Sequence, residues 1–228
     1  MPLYPVLLTL HIIFGSFALF FGTVNLLLKK GTRLHKKVGR VFFWSMIVTS
    51  IIALILSGLK PNLFLFIVGI FTLYLVGTGQ RYLKLKNLLK EEKPETIDWI
   101  YSGGMFVVGF IFIVWGMLLL IGKQQMGWAL LLFGLIGLLS VRVDWKNYTG
   151  KSQKKLFWLR GHIARIVGSY IASITAFFVV NQNQFPDFIP PIIFWILPTF
   201  ILTPLIVYWI RKFTKPKIEG KGNESLSV

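Results

Sequence analysis

The chain contains no cysteine, only three histidines, and 8 acidic residues against 25 basic ones. The missing thiols exclude disulfides, thiolate nucleophiles, iron–sulfur clusters and cysteine-ligated zinc. The shortage of charge is equally restrictive. Of the 228 residues 14% are charged and 55% hydrophobic, a composition that belongs to an integral membrane protein rather than to soluble domains. Also absent is a basic n-region in Met1–Pro5, and the first apolar block is too long for the h-region of a signal peptide. It is expected to be a retained first helix.

The apolar residues fall in seven blocks of about 17–24 residues, enough at about 1.5 Å per residue to cross a hydrocarbon core of about 30 Å. The blocks cover 6–28, 38–58, 62–80, 99–121, 126–143, 162–181 and 192–210. The predicted fold is therefore an all-α integral membrane protein, a seven-transmembrane helix bundle over 1–213, with a flexible cytoplasmic tail over 214–228. Pro61 opens the third helix, Asp98 reads as the N-cap of the fourth, and Pro190 and Pro191 precede the seventh. Pro198 and Pro204 lie inside the seventh and predict a kink. Helical periodicity through Tyr82, Leu85, Leu88 and Leu89 extends the third helix along the membrane surface.

The excess of basic residues fixes an expected orientation, because Lys and Arg are retained in cytoplasmic loops. All of the 25 except Lys60 and Lys123 fall in the connections after helices 1, 3 and 5, at the start of helix 6, or in the tail. The N-terminus is thereby predicted outside and the C-terminus in the cytoplasm. The same distribution accounts for the net charge of +17 without nucleic acid, since the charges punctuate the spans instead of forming one basic face. Trp44, Trp99, Trp128, Trp145, Trp158 and Trp209 lie near predicted helix ends, as interfacial aromatics do. Two glycosylation sequons, beginning at Asn147 and Asn223, fall on the predicted cytoplasmic side and are read as chance matches.

Each histidine leads a face of small or polar residues at helical spacing: His11, Gly15, Ala18, Gly22 and Asn25; His35, Gly39, Met46, Ser50, Ala53 and Ser57; His162, Arg165, Ser169, Ser173 and Ala176. These faces are expected to point into the bundle, where small residues allow close helix contact and polar groups avoid lipid. Depth separates the histidines. Counting from the span centres at about 1.5 Å per residue, His11 lies about 9 Å toward the outside, and His35 and His162 about 18 and 14 Å toward the cytoplasm.

The inner pair is the candidate site. Two imidazoles on facing helices suit axial ligation of a b-type haem, with Arg40 and Arg165 for its propionates. Alternatives are a divalent metal held by His35, His162 and Asp98 or Asp144, or a cationic cavity for an anionic head group or metabolite. Gln80, Arg81 and Arg142 are also placed at these helix ends. His11 and Asn25 are intramembrane polar residues outside the pair. A retinal protein is excluded because 192–210 has no lysine, and three histidines are too few for a four-histidine, two-haem carrier. No charged residue occupies the middle of a predicted span, which argues against a secondary transporter.

The run His11-Ile-Ile-Phe-Gly15-Ser-Phe-Ala18-Leu19-Phe-Phe-Gly22, the pattern Lys30-Gly31-x-x-x-His35-x-x-x-Gly39-Arg40-Val41-Phe42, and the late helix with His162 and Arg165 resemble uncharacterised multi-pass membrane proteins of bacteria. These form a family of unknown function, and the chain is most similar to Bacteroidetes members. The resemblance implies the bacterial inner membrane and makes His11, His35 and Gly39 hallmark positions. It implies no activity, although such proteins resemble haem-binding b-type membrane cytochromes in arrangement. The reading from sequence is thus a lipid-embedded protein with haem b at His35 and His162. A non-enzymatic scaffold or accessory subunit, or a small-solute transporter, is the alternative, and an oligomer is compatible with either.

Overall fold

The computed structural model describes residues 3–88, 93–151 and 155–214. The chain forms seven long helices: α1 (Leu3–Leu27), α2 (Arg33–Leu59), α3 (Leu63–Arg81), α4 (Thr96–Ile121), α5 (Met126–Tyr148), α6 (Phe157–Val180) and α7 (Pro191–Thr214). Each is long and apolar enough to cross a membrane, and the chain is a polytopic membrane protein. The tail from 215 onward, with the sequon at Asn223, lies outside the described residues, as does Leu89.

Local sequence explains the helix starts. Thr32 caps α2 by accepting the His35 backbone N–H at 3.2 Å, and Asn62 caps α3 by accepting from Leu65 at 2.9 Å. The turn before α2 passes through Gly31 at φ +82°, a left-handed conformation that suits glycine. Helix 4 begins earlier than expected. Glu95 is its N-cap and Asp98 its third residue, the two forming a reciprocal capping box. The seventh helix runs unbroken through Pro198 and Pro204. Trp44, expected at an interface, is instead eleven residues into α2 and faces outward.

Helix 3 is the axis of the bundle. It packs against α2, α4, α5 and α6 and buries most of its last two turns. By contrast, α1 buries only Ala18 and Gly22, and α7 only Phe194, Pro198 and Thr214. Large apolar side chains, among them Ile12, Phe20, Ile196 and Phe200, are exposed on both helices, as lipid contact requires. Close approach depends on glycine. A Cβ at Gly22 would lie 2.5 Å from the Tyr170 ring, and one at Gly116 would lie 3.0 Å from the Gly127 carbonyl across the α4–α5 seam.

Neighbouring helices alternate in direction, so the α1–α2, α3–α4 and α5–α6 connections and the end of α7 meet at one end of the bundle, here termed the basic end. The expected extension of helix 3 along the membrane surface does not occur. After Arg81 the chain makes a 3-10 turn, Tyr82–Lys84, and folds beneath the bundle. Tyr82, Leu85 and Leu88 are buried there with Tyr148, against Phe157 and Trp158. Their apolar side chains are covered by protein, which removes the reason for a surface helix.

Candidate functional site

The deepest polar group at the basic end is centred on Asp144. Its side chain is 0% exposed. Oδ2 accepts from Tyr74 at 2.6 Å and from Ser102 at 3.1 Å, and Oδ1 accepts from Tyr82 at 2.6 Å and Arg165 at 2.7 Å. Two donors on each oxygen match the lone-pair capacity of a carboxylate. The Arg165 guanidinium, also buried, donates in addition to the Tyr74 hydroxyl at 2.9 Å and the Ser140 carbonyl at 2.8 Å. Asn147 closes the group by donating to the Tyr82 hydroxyl at 2.9 Å. Helices α3, α4, α5 and α6 are thus joined around one ion pair, whose burial is tolerable because both carboxylate oxygens and both terminal guanidinium nitrogens have hydrogen-bond partners.

A second ion pair fixes the entry to α4. Arg81 binds Asp98 with two parallel hydrogen bonds, Nε to Oδ1 at 2.8 Å and Nη2 to Oδ2 at 2.9 Å, and reaches Glu95 at 3.0 Å. The geometry is the planar fork that arginine presents to carboxylates. Asp98 also accepts the Glu95 backbone N–H at 2.9 Å, so it holds the helix start and the end of α3 together.

The histidine corner lies about one turn nearer the start of α6, on the side that also meets α3. His162 Nδ1 is 2.9 Å from the Gly79 carbonyl, where α3 and α6 are so close that a Cβ on Gly79 would meet the Arg165 and Ile166 side chains at 2.9 Å. His35 stands in the first turn of α2. Its Nδ1 is buried with no hydrogen-bond partner among the described residues, and so is Asn25 Oδ1. The Asn25 amide lies against Gly39, 3.2 Å from where a Cβ would stand, one helical turn from His35. Lys30 donates to the carbonyls of Asn25, Leu26 and Leu28 at 2.7, 2.7 and 3.2 Å. It also sits 4.1 Å over the Trp209 ring, joining α1 to α7. Burial lowers its pKa to about 8. His11 is remote from the pair and contacts the Thr49 carbonyl at 3.1 Å.

The structure places His35 and His162 near the starts of α2 and α6, at the same end of the bundle, but does not assemble the expected set. Arg40 is exposed on the outer side of α2. Arg165 belongs to the Asp144 group, because α6 starts at Phe157 rather than near His162 and carries the guanidinium two turns into the bundle. A haem fits this corner in part. His162 has one ring nitrogen anchored on a carbonyl, the usual support for an imidazole that ligates through the other, but neither arginine is placed for a propionate. The alternative metal set fails at Asp144, whose oxygens are taken. Among the described residues no three of His, Asp and Glu are grouped to hold an ion.

The sequence did not single out Tyr74 or Ser102, and it marked Tyr82 only for helical periodicity and Asn147 only as a chance sequon. One signal was present. Asp144, Asn147 and Tyr148 follow at spacings of three and four on α5, a polar face in an otherwise apolar helix. Asn147 is 5% exposed, which gives the sequon a structural role. No family model, curated protein or solved structure matches the chain.

Proposed function

We propose that the chain is a non-enzymatic scaffold or accessory subunit of a bacterial inner membrane, with the basic end in the cytoplasm. The observation that carries this reading is the closure of the Asp144 group. The deep charges neutralise one another inside the chain, so their geometry serves to join α3 to α6 rather than to receive a substrate. The close glycine contacts support the same role, because they make a rigid body whose exposed helices can meet lipid or a partner.

The test is complementation of a deletion phenotype, with each variant's membrane level measured alongside. His35→Ala and His162→Ala should complement, and Gly22→Leu should not accumulate as a folded protein. Failure of both histidine variants at normal folded levels would overturn the scaffold reading. Orientation is tested separately. The absence of cysteine permits single replacements, Lys123→Cys and Lys37→Cys, to be probed with an impermeant thiol reagent. Labelling of the first alone from outside is expected.

A second reading rests on the Nδ1 of His35, which has no partner among the described residues, at the end of the bundle that also carries His162. In it His35 and His162 hold haem b without help from Arg40 or Arg165, and the haem supplies one-electron transfer. Purified protein lacking a Soret band after haem supplementation rules this reading out.

A further inference from the structure

Among the described residues the carboxylates at the basic end are all engaged. Arg81 binds Asp98 and Glu95, and Arg165 binds Asp144. The other described acid, Asp187, lies in the connection between α6 and α7 at the opposite end. Arg211 and Lys212, in the last turn of α7, are therefore left without a carboxylate among the described residues. Lys30, at the same end, is held by backbone carbonyls. Lys212 has only the Tyr208 hydroxyl, to which it donates at 3.1 Å. That contact turns its side chain back along α7 toward Pro204.

The surface beside these cations is shaped. Between Phe200 and Tyr208, both exposed, α7 carries two short residues, Thr203 and Pro204. An open recess of about 630 Å³ results, lined by Thr203, Pro204, Val207, Tyr208, Arg211 and Lys212. These residues recur every four positions and so form one strip along the helix, largely apolar at Pro204 and Val207 and cationic at its end. Pro204 and Arg211 stand about 10 Å apart at about 1.5 Å per residue. Helix 7 packs on α6 and buries only Phe194, Pro198 and Thr214, none of which lines the recess. The strip is exposed along its length, where a membrane protein meets acyl chains. Arginine presents a planar fork to phosphate and lysine a point charge. Two cations without a carboxylate suit a headgroup of net negative charge better than a zwitterion, whose own cation opposes them.

We propose that this strip of α7 binds one anionic phospholipid, with its phosphate on Arg211 and Lys212 and an acyl chain in the recess beside Thr203 and Pro204. The Tyr208 hydroxyl, which accepts from Lys212, keeps its own proton to donate to a headgroup oxygen. The site requires only that the chain lie in a membrane. It is independent of the scaffold reading and of which side the basic end faces.

Native mass spectrometry of the full chain, released from vesicles of equal phosphatidylglycerol and phosphatidylcholine, tests the site. The wild type should retain phosphatidylglycerol several-fold over phosphatidylcholine. The double variant Arg211→Gln, Lys212→Gln should lose that preference, and Thr203→Trp, which fills the recess and spares both cations, should lower the amount retained. Arg142→Gln, Lys146→Gln removes two exposed cations near the same end of α5 and should change nothing. No preference in the wild type would overturn the proposal. Equal losses in the two double variants would do the same, by reducing the site to a general basic surface. Phosphatidylglycerol displaced by excess inorganic phosphate would show that the acyl chain is not held. A dimer that forms without lipid and that Thr203→Trp dissolves would assign the strip to a second copy of the chain, and overturn the proposal as well.

Discussion

Two polar groups stand about one turn apart along α6 at the same end of the bundle, and they differ in how completely they are satisfied. Around Asp144, two carboxylate oxygens meet four donors, and the guanidinium beside them reaches three acceptors. At the histidine corner, His35 Nδ1 and Asn25 Oδ1 have no partner among the described residues. The first group lies between α3 and the three helices packed on it, α4, α5 and α6. The second lies where α1 meets the core, and α1 buries only two residues. A group surrounded on all sides can be satisfied by protein alone, whereas one at the margin is finished by something else. The Asp144 group is accordingly a stability element, and the corner is where a ligand, lipid or partner would be felt.

The sharpest way to break this contrast is to leave one buried charge without its partner. Arg165→Leu or Asp144→Leu should cost about 3–5 kcal/mol, and the double replacement should recover much of that. Recovery stays incomplete because Tyr74 and Tyr82 keep donors that pointed at Asp144. A double-mutant cycle on denaturant unfolding in detergent measures the coupling. Strictly additive losses would mean that the pair is not the unit holding α5 to α6. The next effect belongs to Tyr82→Phe, expected to cost about 1–3 kcal/mol by removing one donor to Asp144 and the acceptor of Asn147. Hydrogen exchange across 82–88 should rise in that variant, since the hydroxyl also pins the segment folded beneath the bundle.

Much of the fold was legible in the sequence because a membrane imposes a single length scale, and seven blocks of that length became seven helices. The faces led by His11, His35 and His162 were legible for a related reason, since small residues at helical spacing have few uses other than close contact. What sequence misplaced was the start of α6. Beginning that span at His162 put Arg165 at a helix end, whereas the helix begins at Phe157. That error of about one turn moved an arginine from a proposed ligand pocket to a buried ion pair. The tyrosines were invisible for another reason: a hydroxyl on an aromatic ring in an apolar helix reads as core until its partner on another helix is known.

At the margin, steric predictions sharpen the comparison. Gly22→Ala should cost about 1–3 kcal/mol, because its new Cβ would stand 2.5 Å from the Tyr170 ring, and Tyr170 is itself tied to Thr23 at 2.7 Å. Gly15→Ala should be nearly silent, as its nearest neighbour is a Thr49 methyl at 3.7 Å. Both residues lie on the same face of α1, so melting curves for the pair separate packing at the α1–α6 contact from a general dislike of substitution on α1. Equal losses would mean that α1 is held along its whole length and is no margin at all.

The smallest effect is the most specific to the corner. Burial brings the Lys30 pKa down to about 8, against about 10.4 for a lysine in the unfolded chain. As pH rises through 8 the folded state loses this proton first, so between about 8 and 10 the unfolded state binds more protons and stability increases with pH. Lys30 is only half-buried, and solvent screening limits the gain to about 1 kcal/mol or less. Lys30→Met keeps the stem and removes the charge, and it should flatten the rise in melting temperature across that window. Two contacts act in the opposite sense, since the three carbonyls at the end of α1 and the Trp209 ring at 4.1 Å all favour the ammonium. Stability that fell from pH 8 to 10 in the wild type, and became level in Lys30→Met, would show that these contacts outweigh burial. The corner would then be held by its own cation, as the Asp144 group is, and the contrast between the two would disappear.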